Sequence, residues 1–161
     1  MKNLFTVLVV MLFAMQAQAQ WKVGVNAGIP VGDVSDFYNF AAGADVYYMF
    51  GKSKDALIKF GGTAGFINYF GKEIDGGGEV EDTQFIPVAA VGRITVLSTL
   101  LFGLDVGYGI GVNDGNDGGV YGRVVAGLDL GNTVELNAFY HLVGMDSFNF
   151  ANTGLAVLIV F

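Results

Sequence analysis

The chain has no cysteine, two prolines, one histidine and only 14% charged residues in a length of 161. Without cysteine it cannot be a disulfide-stapled mini-domain or a thiolate metal centre. A charged fraction of 14% falls well below the roughly 25% with which soluble chains keep their surfaces in water. A net charge of −7 argues against non-specific nucleic-acid binding, which needs a basic surface. With 53% hydrophobic residues and a mean hydropathy of +0.53, the chain is not a disordered polar one either. Its 25 glycines are about twice the usual share. The length suggests a single domain.

The first residues read as an export signal. Met1-Lys2-Asn3 carries one positive charge, Leu4 to Met15 is apolar apart from Thr6, and Ala17-x-Ala19 is a small-x-small cleavage site. The apolar run of 12 residues is too short for a spanning helix, which needs about 20. The expected organisation is a signal peptide over 1–19 and one domain over 20–161.

After residue 20 no apolar run reaches helix-spanning length, and the dominant period is two, that of strands. Leu100, Phe102, Leu104, Val106, Tyr108 and Ile110 share one face, and Leu101, Gly103, Asp105, Gly107, Gly109 and Gly111 share the other. Strands are predicted at 21–29, 40–50, 56–70, 83–97, 99–112, 120–130, 133–143 and 153–161. In the fourth, Phe85, Ala89 and Val91 make both faces apolar. Asn68 is an isolated polar residue on the apolar face of the third. Connections at 30–39, 71–82, 113–119 and 144–152 are expected to be long. Those at 51–55, 98 and 131–132 are expected to be short. Long and short connections then fall at opposite ends, as in outer-membrane barrels.

Eight charged residues lie within these strands: Lys22, Asp45, Lys59, Arg93, Asp105, Arg123, Asp129 and Glu135. By parity all share the face that carries most strand glycines. Four are basic and four acidic. A soluble ligand-binding barrel would turn this face to water, but it is too sparsely charged for that and suits a crowded interior of paired charges. The apolar face then looks to lipid, where every backbone polar group needs a partner and the sheet must close. Trp21, Tyr48, Phe50, Phe102 and Phe161 fall at one expected rim, and Phe40, Phe66, Phe70, Tyr108 and Tyr140 nearer the other. Two aromatic girdles are expected of a spanning barrel. The fold class is therefore all-β, an eight-stranded antiparallel up-and-down transmembrane β-barrel.

The end Gly154-Leu155-Ala156-Val157-Leu158-Ile159-Val160-Phe161 resembles the C-terminal signal of bacterial outer-membrane proteins. Together with Trp21-Lys22-Val23-Gly24-Val25-Asn26-Ala27-Gly28, it makes the chain from residue 20 onward similar to small outer-membrane barrels of the OmpA/OmpX-like porin superfamily, the type common in Bacteroidetes. The resemblance implies a multi-pass outer-membrane location and recognition of Leu155, Val157, Ile159 and Phe161 by the barrel-assembly machinery. It also implies contact with outer-membrane lipid and lipopolysaccharide. No wall-binding domain of the OmpA kind is expected beyond Phe161, and a monomer is expected.

Other motifs have ordinary explanations. Gly107-x-Gly109-x-Gly111 lacks the GxGxxG spacing and following helix of a phosphate loop. Asn113-Asp114-Gly115-Asn116-Asp117-Gly118-Gly119 could wrap Ca²⁺ but lacks the distal Glu of an EF-hand, and its residues are those of turns. The long connections hold Asp33, Asp36, Glu73, Asp75, Glu79, Glu81, Asp82, Asp114, Asp117 and Asp146 against Lys72. This acidic face serves solubility, or attracts divalent cations or a basic partner. His141, with Ser147 and Glu135 or Asp146, matches no hydrolase spacing, and it lies on the interior face. The reading is a non-enzymatic barrel without cofactor or metal, closed by its charge network and acting through its loops. A small passive channel and a soluble lipocalin-like barrel are the alternatives.

Overall fold

The computed structural model describes residues 19–50, 57–74, 78–130, 133–145 and 148–161. The expected signal peptide up to residue 18, the 51–55 and 131–132 connections, Asp75, Asp146 and Ser147 lie outside the described residues. Eight long strands carry the fold: β1 (Ala19–Val31), β2 (Tyr38–Phe50), β3 (Ile58–Gly71), β4 (Thr83–Val96), β5 (Leu100–Gly111), β6 (Gly119–Leu130), β7 (Val134–Gly144) and β8 (Asn149–Val160). Each pairs antiparallel with its sequence neighbours, and β8 closes on β1. The result is an up-and-down barrel in which each of the eight strands is paired on both sides. Residues 32–34 form a single 3₁₀ turn, and Glu73–Ile74 pairs with Gly78–Glu79 as a small ribbon in the β3–β4 loop.

The period of two decides the two faces. Along β5, Leu104 and Val106 are 53% and 52% exposed, while Asp105 between them is fully buried. Val25, Val124 and Leu155 likewise point outward. The strands are 11 to 14 residues long, enough to cross a hydrocarbon core, which takes about 9–11 tilted residues. At the end where the chain enters β1, Trp21 meets Tyr48 edge-on at 4.8 Å, and Phe161 donates its N–H to the Trp21 carbonyl at 2.8 Å. Near the opposite rim, Phe40 stacks on Phe70 at 4.2 Å.

Three local departures from the sequence reading have physical causes. β8 begins at Asn149 rather than 153, because Asn149–Asn152 pair with His141–Gly144; asparagine is a poor strand former and hid this extension. The β7–β8 connection is consequently shorter than the segment 51–57 between β2 and β3, so the alternation of long and short connections is incomplete. Asn68, outward by parity, is buried because the β3–β4 loop folds over it and Asp82 accepts from its Nδ2 at 2.9 Å.

Two further features shape the loop end. A bulge between Tyr38 and Phe40 changes the parity of β2 there and turns Tyr38 inward. The β3–β4 ladder lapses between Ala64/Val88 and Ile67/Phe85, where Pro87 has no N–H to offer.

Candidate functional site

All eight strand charges are buried in the barrel interior. Lys22 on β1 pairs with Glu135 on β7, passing over the intervening β8. Arg93 on β4 pairs with Asp105 on the adjacent β5, with a second contact from Nη2 to Oδ2 at 3.2 Å. Arg123 on β6 donates to Asp45 Oδ2 on β2 at 2.8 Å. In the closed ring β2 and β6 stand opposite one another, so this pair spans the interior. Lys59 and Asp129 are buried as well, and each has interactions of its own.

Neutral groups complete the central layer. Asn26 Nδ2 donates to Asp45 Oδ2 at 2.8 Å, and Arg123 Nη1 donates to Tyr47 Oη at 2.9 Å. The Arg123 guanidinium lies 4.5 Å from the Phe139 ring centroid, and that of Arg93 lies 5.4 Å from Tyr47. Buried ions in such a layer hold only while their partners and hydrogen bonds remain, since desolvation is costly. Glycine makes room for it: a Cβ at Gly103 would sit 2.5 Å from Arg93 Cδ.

Apolar side chains cover the charges on the loop side and interleave with them on the turn side, where Tyr47 stands opposite Lys22 and Leu158 opposite Glu135. Towards the turns lie Tyr47, Met49, Val91, Leu101, Val125, Phe139, Ala156 and Leu158. Towards the loops, Tyr38, Tyr69, Phe85, Tyr121 and Phe150 pack with Val34, Ala41, Ile67, Ala89 and Val143. Within this layer Phe150 meets Tyr38, Tyr69 and Phe85 edge-on at 5.5, 5.2 and 5.0 Å. His141 is fully buried beside it, with Nε2 2.8 Å from Tyr69 Oη, and Phe139 stacks on its ring at 5.5 Å. β3 and β7 are also opposite in the ring, so Tyr69–His141 is a second cross-barrel contact.

The sequence reading does not single out Tyr47, Tyr69 and Tyr121 as interior groups, although they share the parity of the charges on their strands. Tyr47, Tyr69, Phe85, Tyr121 and Phe139 are odd-numbered on strands whose interior positions are odd.

The loop-end acids divide by role. Asp82 holds the loop by accepting from Gly71 N at 3.0 Å and from Asn68, and Asp33 accepts from Asn149 N at 3.2 Å. Asp36, Glu73, Glu79, Glu81, Asp114 and Asp117 are exposed. Lys72 reaches the Ser35 carbonyl at 2.7 Å. In the β5–β6 loop, Asn113 Oδ1 accepts from Gln84 N at 2.7 Å and Asn116 Oδ1 from Gly118 N at 3.1 Å; the first side chain ties the loop to the start of β4 and the second closes the loop's own turn. Among the described residues no group of three or more His, Cys, Asp or Glu could hold a metal ion. Glu135 is committed to Lys22, and His141 to the aromatic layer. Ser147 lies outside the described residues.

The geometry can be compared with known structures. The chain is similar to the outer-membrane protein Ail of Yersinia pestis in a phospholipid bilayer nanodisc, with TM-score 0.63 and 11% identity over 89% of this chain and 100% of that one. It is similar to Ail again in a crystal with the heparin analogue sucrose octasulfate, with TM-score 0.54, 13% identity and coverage of 89% and 99%. A de novo designed transmembrane β-barrel matches with TM-score 0.50, 12% identity and coverage of 87% and 95%. No protein-family model and no curated protein sequence matches the chain. At such low identities the likeness is one of fold: this is the architecture of small eight-stranded outer-membrane barrels.

Proposed function

We propose that the chain is an integral outer-membrane protein of a bacterium, exported by the signal peptide 1–19 and inserted through the assembly signal Leu155, Val157, Ile159 and Phe161. It is a non-enzymatic monomer whose interior is closed to ions. It acts at the cell surface through its acidic loops, beside lipopolysaccharide and within reach of divalent cations. The OmpA/OmpX-like lineage and the Bacteroidetes type belong to the same reading.

The observation that carries the proposal is the inversion of the barrel's two faces. Half-exposed Leu, Val and Ile cover the outside, while Arg123–Asp45 and Arg93–Asp105 are buried within. Water would favour the reverse. In hydrocarbon the outer face needs no polar groups and the closed ladder satisfies the backbone. An eight-stranded barrel is just wide enough for side chains to fill, and here ion pairs and rings occupy it from several walls.

Fractionation and planar-bilayer recording test the proposal together. The expected result is detergent-dependent recovery from the outer membrane, with folded protein that changes gel mobility on heating and gives no steady conductance. Recovery in the soluble periplasm would overturn the membrane reading. Steady conductance altered by Asp105→Asn would overturn the closed interior.

A further inference from the structure

The loop end carries one feature that neither the barrel nor its closure explains. An apolar cleft of about 400 Å³ opens there, with Val34 and Tyr38 at its floor, Phe37, Val80 and Phe148 on its walls, and Asp33 at its rim. Val34 and Tyr38 belong to the interior aromatic layer, and Val80 packs against that layer, so the floor is braced by the barrel. The Asn149 N–H donates to the Asp33 carboxylate and so ties the 3₁₀ turn to β8. Yet Phe37 and Phe148 stay 50% and 44% exposed. A second cleft of about 530 Å³ shares the Phe148 wall and includes Asp117, Tyr108 and Met145.

A braced apolar cleft with two half-exposed aromatic walls fits one apolar side chain as an anchor. Its surroundings decide the rest of the ligand. The two loops that flank it bring Asp33, Asp36, Glu73, Glu79, Glu81 and Asp82, and their single cation, Lys72, points its Nζ at the Ser35 carbonyl. Asp117 adds a carboxylate beside the neighbouring cleft. Such a field repels acidic molecules and draws basic ones. We infer that this cleft binds a basic peptide segment, seating one aromatic or aliphatic side chain between Phe37, Val80 and Phe148 while flanking Lys or Arg residues face the acidic rim. The inference rests on the surface role proposed above and names its partner class.

The test uses the full barrel, purified and folded in a neutral detergent, and three synthetic peptides. The first has a central Phe flanked by lysines, the second has Ser for that Phe, and the third has Glu for the lysines. Binding is read by fluorescence anisotropy at low and physiological salt. The first peptide is expected to bind about tenfold more tightly than the second, the size of effect that burying one apolar side chain supplies. The third is expected not to bind. Phe148→Ser and Val80→Ser should each abolish the preference for Phe and leave the weak binding of the lysine–serine peptide intact. Two such variants guard against a local folding defect in either one.

If the first two peptides bind equally, and neither variant matters, the cleft is not the site; the acidic surface reading then stands alone. If no basic peptide binds even at low salt, the cleft and the acidic surface reading both fall. If the acidic peptide binds as well as the basic one, the charge argument is overturned.

Discussion

Arg123 on β6 and Asp45 on β2 meet at 2.8 Å across the full width of the barrel, from strands that stand opposite in the ring. Each is at most 4% exposed, and Asn26 and Tyr47 share the cluster. Removing one partner leaves a buried charge without compensation. Arg123→Ala is therefore expected to destabilise the barrel by about 3–5 kcal/mol. Joint replacement by apolar residues of similar volume, Arg123→Met with Asp45→Leu, should recover most of that loss, because it also removes the desolvation cost. Urea unfolding in lipid, followed by the fluorescence of Trp21, measures both. A single variant as stable as the native protein would show that the pair contributes nothing.

The Tyr69–His141 contact crosses the barrel one layer nearer the loops. Tyr69→Phe keeps the edge-on ring contacts with Phe85 and Phe150 but deletes the hydroxyl partner of His141 Nε2. The expected cost is about 1–3 kcal/mol, that of a buried polar group left unsatisfied. Because the ring shape is retained, Tyr69→Leu should cost more than Tyr69→Phe. The same urea titration ranks the two, and equal losses would place the value of Tyr69 in its hydroxyl alone.

How far sequence could go is visible in these residues. Parity along Leu100–Gly111 tells which face Asp105 occupies, because a strand turns each side chain by half a revolution. It does not tell the partner. Asp45 and Arg123 are 78 positions apart, and Tyr69 and His141 are 72 apart; their meeting depends on ring closure and on strand stagger, which no local pattern encodes. β4 read ambiguously because its interior residues Phe85, Ala89 and Val91 are themselves apolar, so hydrophobicity could not separate its faces. The loop-end cleft was equally hidden. It draws Phe37, Val80 and Phe148 from three connections that have no periodicity to read.

The β4–β5 turn holds strain that can be relieved. Leu97 and Ser98 have φ of +53° and +57°, in the left-handed region that costs a residue with a Cβ roughly 1–2 kcal/mol. Leu97 is also 82% exposed, so its side chain gains little from burial there. Leu97→Asn with Ser98→Gly supplies the residues such a turn favours. Stability is expected to rise by about 1–2 kcal/mol, with unchanged assembly. An unchanged or lower urea midpoint would show that the turn is held by contacts beyond its own backbone.

The facing of the strands makes the last prediction. Val106 is 52% exposed at the middle of β5, and Ile110, 49% exposed, lies nearer the loop end on the same face. If that face meets hydrocarbon, an introduced arginine is penalised by depth. Val106→Arg should cost about 2–4 kcal/mol and Ile110→Arg only about 0–1 kcal/mol. In a soluble barrel both positions would face water, and both substitutions would be tolerated. Equilibrium unfolding in bilayers of defined thickness gives the two values. Their difference, more than either value alone, reports depth, because side-chain entropy and helix or strand propensity are common to both. A gap that narrows in thicker bilayers would follow directly from Ile110 moving deeper below the interface. Equal, small costs at both sites would mean that the apolar exterior does not meet lipid.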